Sequence, residues 1–196
     1  MGRWYLEPVA SLVPLNEENA ARHLAEIASA AAEEDVPRVS ALLTGNSSAS
    51  AFLKAVFDLS PFLRDLARRR PQMLDLIFDK PVEARLEEIR AGIATLAGAE
   101  GISESGLMME LRLRKTEAHF LIALADLAGE TDAAVTVRRL SDLAEACVRA
   151  AVDFLLRDSH RQGKLRLVNP DRPSDKSGWI LLGMGKLGAH ELNFSS

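Results

Sequence analysis

Proline placement constrains this chain more than any other feature. Six of the eight prolines fall at or before Pro81, the other two are Pro170 and Pro173, and residues 82–169 contain none. Proline lacks the amide hydrogen and clashes with the preceding turn, so it is costly inside a helix. The proline-free stretch can therefore hold long uninterrupted helices, and the segment before it shorter ones with breaks. Composition agrees: 29 Ala and 30 Leu stand against 10 aromatic residues, which favours helix over sheet.

Local signals divide the first part. A helix is expected over 17–34, with Asn16 as N-cap and an end before Pro37. The turn cluster Thr44-Gly45-Asn46-Ser47-Ser48 precedes a second, running through Phe52, Leu53 and Val56 to Leu59. Ser60-Pro61 reads as N-cap and first residue of a third, which ends at Arg68-Arg69-Arg70 before Pro71. A short helix over 71–78 and another over 81–96 follow, then the glycine-bearing stretch Gly98 to Gly106.

Two long helices come next. Leu107, Leu111, Ala118, Leu121, Ile122 and Ala125 recur at spacings of 3, 4 and 7 and form one apolar stripe over 104–127. After the turn Gly129-Glu130-Thr131-Asp132, a helix over 135–156 is expected to bury Val137, Leu140, Ala144, Cys147, Val148, Ala151 and Leu155. Its other face carries Arg138 with Asp142, Glu145 with Arg149, and Asp153 with Arg157, all spaced to pair one turn apart. A short loop between two such helices predicts an antiparallel pair.

Charge excludes some partners. The net charge is −4, with no polyanion-binding surface, so no nucleic acid is expected. Arg68-Arg69-Arg70 suits a solvated helix C-terminus, a binding patch being the alternative. Arg112, Arg114 and Lys115 read as local ion pairs with Glu110 and Glu117, or as a partner-facing cluster. The single Cys147 falls in an apolar pattern and reads as a small core residue rather than a redox centre. No apolar run approaches the roughly 20 residues that cross a bilayer. The start Met1-Gly2-Arg3-Trp4-Tyr5 has no apolar signal core. A cytoplasmic protein with no membrane contact is expected.

Beyond Gly163 the pattern changes. Lys164 to Val168 reads as a short strand, residues 169–175 as a loop, and Trp179-Ile180-Leu181-Leu182 as a buried strand bounded by glycines. That run empties into Gly183-Met184-Gly185-Lys186-Leu187-Gly188, where glycine permits positive φ and close approach of backbone N–H groups to an anion. Lys186 either neutralises phosphate charge or faces solvent. A P-loop is excluded: Ile180 stands where its first glycine belongs and Leu187 where its Ser or Thr belongs. G-x-G-x-x-G matches Gly183, Gly185 and Gly188, leaving a dinucleotide-binding protein cut after its first glycine loop as one reading. A helical interaction module ending in a disordered glycine tail is another.

Residues after the glycines add a third template. Gly183 to Ser196, with Glu191-Leu192-Asn193-Phe194-Ser195-Ser196 at its end, resembles the motif that introduces the active site in the glutamine synthetase adenylyltransferase family. There a strand, G-x-G-K-L-G and a segment ending E-L-x-x-S-S lead into an Asp-x-Asp pair. Leu111 to Glu117, Asp126 to Gly129 and Leu140 to Cys147 are similar to the helices before it, so the resemblance covers about 60–196, most closely from 110 onward. Ala189 and His190 stand where the family has glycine and a variable residue, so His190 reads as a tolerated substitution and not a catalytic base.

The resemblance implies a mainly α chain: a helical bundle leading into the first strand and glycine turn of an incomplete α+β nucleotidyltransferase domain. Residues 1–100 would be an N-terminal helical region, 101–160 the long helix pair, and 161–196 the opening of that domain. It implies a bifunctional enzyme that adenylylates and deadenylylates glutamine synthetase, responds to PII signal proteins, and uses Mg²⁺ with ATP or ADP. This half would be the phosphorolytic, AMP-removing one. Gly183, Gly185 and Lys186 would face the nucleotide phosphates, and Ser195 and Ser196 would precede the metal-binding carboxylates, either touching ligand or shaping the strand entry. Those carboxylates would follow Ser196. The chain by itself is therefore expected to hold neither metal nor nucleotide tightly and to have no catalytic residue of its own.

Overall fold

The computed structural model describes Pro8 and residues 11–195. They form helices α1 (Glu17–Glu33), α2 (Pro37–Thr44), α3 (Ser48–Leu59), α4 (Pro61–Arg69), α5 (Gln72–Asp75, continued by a 3₁₀ turn, Leu76–Phe78), α6 (Val82–Leu96), α7 (Glu104–Leu127), α8 (Ala133–Arg161) and α9 (Gly185–Gly188). The chain is mainly helical, as expected. Among the described residues no helix is long and apolar enough to cross a membrane. Among the described residues every element before residue 160 is helical, which argues against a βαβ dinucleotide fold.

The caps at Asn16 and Ser60 follow the sequence signals, and Ser47, expected only as part of a turn, caps α3, which begins at Ser48 inside that turn cluster. The side chains of Asn16, Ser47 and Ser60 accept the backbone N–H groups of Asn19, Ser50 and Leu63, each satisfying one orphan donor of a first turn. Helix α2 was not expected, because Val36-Pro37 reads as a stop. The chain does stop there, with Asp35 at φ 55 and Val36 N–H returning 2.7 Å to Ala31 O. Pro37 then serves as the first residue of a new helix, the position where its missing N–H costs nothing.

The helices divide between two units. The first comprises the chain up to Arg85 with Phe120–Asp132. Here α1 packs on α2, α3 and α4. Ile27, Val39, Leu53, Val56, Phe57 and Leu74 are almost fully buried, as are Phe120, Leu121, Ile122 and Leu124 from the C-terminal half of α7. Arg38 clips α2 to the α5 region, donating to Asp75 at 2.8 and 2.6 Å and to Asp79 at 2.8 Å. The Arg38 hydrogen bond holds the Asp79 carboxyl below the usual carboxylate range.

The second unit comprises Leu86–His119 with Ala133 onward. It buries Leu86, Ile89 and Ile93 of α6, Leu107 and Ala118 of α7, and Leu140, Leu143, Ala150, Phe154 and Leu156 of α8. The buried face of α8 differs from the one expected: Val148 is 38% and Leu155 51% exposed, while Phe154 and Leu156 are buried. Apolar residues occur on several sides of this helix, and neighbouring positions differ by about 100° of rotation, so periodicity alone did not fix which stripe turns inward.

One charge pair is also replaced. Arg157 does not meet Asp153 but donates to the carbonyls of Pro170 (3.0 Å) and Asp171 (2.9 Å), while Asp153 accepts the Ser174 hydroxyl. The end of α8 uses its charges to hold the loop that follows.

Neither expected strand forms. Residues 164–168 are irregular, and 179–182 have no ladder partner. Trp179, Ile180, Leu181 and Leu182 are 61–80% exposed rather than buried. An extended run becomes a strand only when a neighbour takes its N–H and C=O groups, and the described residues contain no such neighbour.

Candidate functional site

The glycine segment is a compact turn built by close backbone approach. Gly183 and Gly188 abut: a Cβ at Gly183 would stand 3.3 Å from the Gly188 α-carbon, and one at Gly188 would overlap the Gly183 carbonyl. Gly185 opens α9 at φ 56, a left-handed conformation that glycine adopts without steric cost, and open space surrounds its α-carbon.

The turn closes as a Schellman cap. Glu191 N–H reaches Lys186 O at 2.7 Å and His190 N–H reaches Leu187 O at 3.1 Å, with His190 itself at φ 56. His190 thus holds a backbone position usually given to glycine. Its Nδ1 is buried without a hydrogen-bond partner and lies 3.9 Å from Asp142 Oδ1.

Sequence reasoning named Gly183, Gly185, Lys186, Ser195 and Ser196. The structure brings the first three into one exposed turn. Ser195 is exposed and donates its hydroxyl to Asn193 Oδ1 at 3.0 Å. Ser196 lies outside the described residues.

Helix residues that sequence reasoning missed hold the segment after the turn. Ser141 Oγ accepts the Leu192 N–H at 3.1 Å, and the His119 ring meets Phe194 edge to face at 6.1 Å between centroids. Burial, aided by the charge of Lys115, pushes the His119 pKa down to about 4, so its ring is neutral near pH 7. Nothing local marks these partners, which lie 51 and 75 residues from what they touch.

A cavity of about 520 Å³ adjoins the turn, lined by Val148 and Val152 of α8, by Trp179, Leu181 and Leu182, and by Gly183 and Gly188. Cys147 on α8 is half-buried, and burial raises its thiol pKa, which disfavours the reactive thiolate. Chemically, the turn can offer backbone N–H groups and the Lys186 charge to an anion. For a metal ion the described residues supply no group of three His, Cys, Asp or Glu side chains.

Residues 50–196 match the family model described as glutamate-ammonia ligase adenylyltransferase. Over 193 residues, 98% of this chain and 20% of the relative, the chain is 65% identical to the bifunctional glutamine synthetase adenylyltransferase/adenylyl-removing enzyme of Mesorhizobium japonicum. It is 47% identical to the enzyme of the same description from Brucella suis, covering 96% of this chain and 19% of the relative. The Bartonella quintana relative is 40% identical over 94% of this chain and 19% of its own length. The chain thus spans about a fifth of the length of these relatives. No solved structure matches it.

Proposed function

The chain belongs to the glutamate-ammonia ligase adenylyltransferase family, and from that membership we propose that it is the part that carries the glycine turn of a nucleotide site in an enzyme modifying glutamine synthetase. The observation that carries the reading is the match over residues 50–196, which includes the whole turn. We assign this part to the AMP-removing half. The reaction is phosphorolysis: an oxygen of inorganic phosphate attacks the AMP phosphorus, the bond to the tyrosine oxygen breaks, ADP leaves, and the tyrosine recovers its proton.

In that reaction the chain's own groups bind and orient. The exposed backbone of Gly183 and Gly185 faces the nucleotide phosphates, and Lys186 offsets their negative charge. Mg²⁺, when bound, neutralises charge at phosphorus. By the family resemblance, carboxylates outside these 196 residues would hold it, with Ser195 and Ser196 close to them in sequence. Glutamine synthetase is the protein substrate, PII signal proteins are the regulators, and the cytoplasm is the site of action.

A polypeptide of these 196 residues is expected to contact nucleotide only weakly and to leave the modification untouched. Titrating it with millimolar ADP should move the amide resonances of Gly183, Gly185 and Lys186, and adenosine should leave them in place. Incubation with adenylylated glutamine synthetase, phosphate and Mg²⁺ should release no ADP. Release of ADP would overturn the expected inactivity of these residues alone, and equal shifts with adenosine would overturn the phosphate-facing role of the turn.

A further inference from the structure

We infer that Ser141 is a positioning residue for the glycine turn, its buried hydroxyl on α8 fixing the segment that runs from the turn to Ser195. The inference rests on the turn being the nucleotide-facing element, but the contact behind it stands independently. Ser141 is fully buried; its hydroxyl donates to Val137 O at 2.8 Å and accepts the Leu192 N–H at 3.1 Å.

The helix itself does not need this serine. Its donor is satisfied inside α8, and alanine at the same place would be the better helix former. The lone pair that receives Leu192 serves only the distant segment.

Two further contacts flank it. His190 lies 3.9 Å from Asp142, and the Phe194 ring meets His119, so the segment meets the helices on either side of Leu192. Glu191, Asn193, Phe194 and Ser195 are exposed, and Leu192 among them is partly buried. The Schellman cap at His190 sets the direction in which the segment leaves the turn, and Ser141 fixes it two residues later. The Leu192 contact is a directed hydrogen bond to a buried acceptor, so Ser141 fixes the backbone between the turn and Ser195.

Amide exchange in the 196-residue chain tests this directly. Ser141→Ala should speed exchange at Leu192 by about five- to tenfold, the worth of one hydrogen bond. Amides of α8 from Leu143 to Ala150 should keep their wild-type rates. Ser141→Thr, which retains the hydroxyl, should restore protection at Leu192. Unchanged exchange at Leu192 in Ser141→Ala, an equal rise throughout α8, or equal loss in Ser141→Thr would each overturn the proposal. An ADP titration of the wild-type chain forms the separate arm: no shift at Gly183 and Gly185 removes the nucleotide reading while leaving the exchange result to decide the role of Ser141.

Discussion

Gly188→Ala tests whether the close backbone approach of Gly183 and Gly188 closes the glycine turn. The added Cβ would stand 2.8 Å from the Gly183 carbonyl carbon and closer still to its oxygen. Both atoms are backbone, so no side chain can swing away and the turn must open. Overpacking of this kind costs about 1–3 kcal/mol. At about 1.4 kcal/mol per factor of ten, the open form rises roughly 5- to 140-fold. The bonds at risk are Ala189 N–H to Gly185 O (3.0 Å) and Glu191 N–H to Lys186 O (2.7 Å). Amide exchange by NMR should therefore accelerate at Ala189 and Glu191. The melting temperature should hold, because the buried core lies in α1 to α8 and α9 contributes no buried residue. Gly163→Ala makes the control: at φ 70 with nothing within 4 Å, its strain is local to the end of α8. If Gly188→Ala leaves exchange at Ala189 and Glu191 at the wild-type rate, the turn is not closed as described.

Three further outcomes follow from the packing and charge. Phe154→Ala should cost about 3–5 kcal/mol in urea unfolding, whereas Leu155→Ser should stay within about 0.5 kcal/mol, since only the first side chain is buried. His119 has a folded pKa near 4, below its value of 6.5 in an unfolded chain, so the unfolded state binds more protons between them. Melting temperature should fall as pH drops from 6.5 towards 4, and His119→Gln should flatten that slope. Asp79 is depressed by Arg38, so its contribution is present above its ordinary pKa of 3.8 and disappears as pH falls below that value through the folded pKa. Arg38→Met should lower the melting temperature at pH 7 and weaken the further loss below pH 3.8.

Signals that act within one turn of chain were legible in the sequence. Asn16 and Ser60 cap helices because a short polar side chain reaches an amide three residues on, and that geometry travels with the sequence. The glycine spacing pointed to a turn that could approach an anion, whereas the crowding of Gly183 against Gly188 was not read from it. Features decided by distant partners were not legible. Val36-Pro37 encodes both an end and a start, and only the fold of the first unit shows that both occur. Arg157 has Asp153 one turn away yet binds the carbonyls of Pro170 and Asp171, a choice set by where the loop returns. Trp179 to Leu182 has the composition of a buried strand but no neighbour to pair with among the described residues. Ser141 carries no local signal of its role, and its partner Leu192 is 51 residues away.

The central claim, that this turn serves AMP removal from glutamine synthetase, is tested most directly by exchanging this chain for the 193 matched residues of the Mesorhizobium japonicum relative. Adenylylated glutamine synthetase, phosphate and Mg²⁺ would be supplied and ADP release measured. The chimera should release ADP, and Lys186→Ala should slow release about 100-fold, as loss of one charge-stabilising donor does, with the melting temperature and the addition of AMP from ATP unchanged. A folded chimera in which Lys186→Ala and wild type release ADP equally fast, or in which the substitution abolishes AMP addition and spares removal, would contradict it.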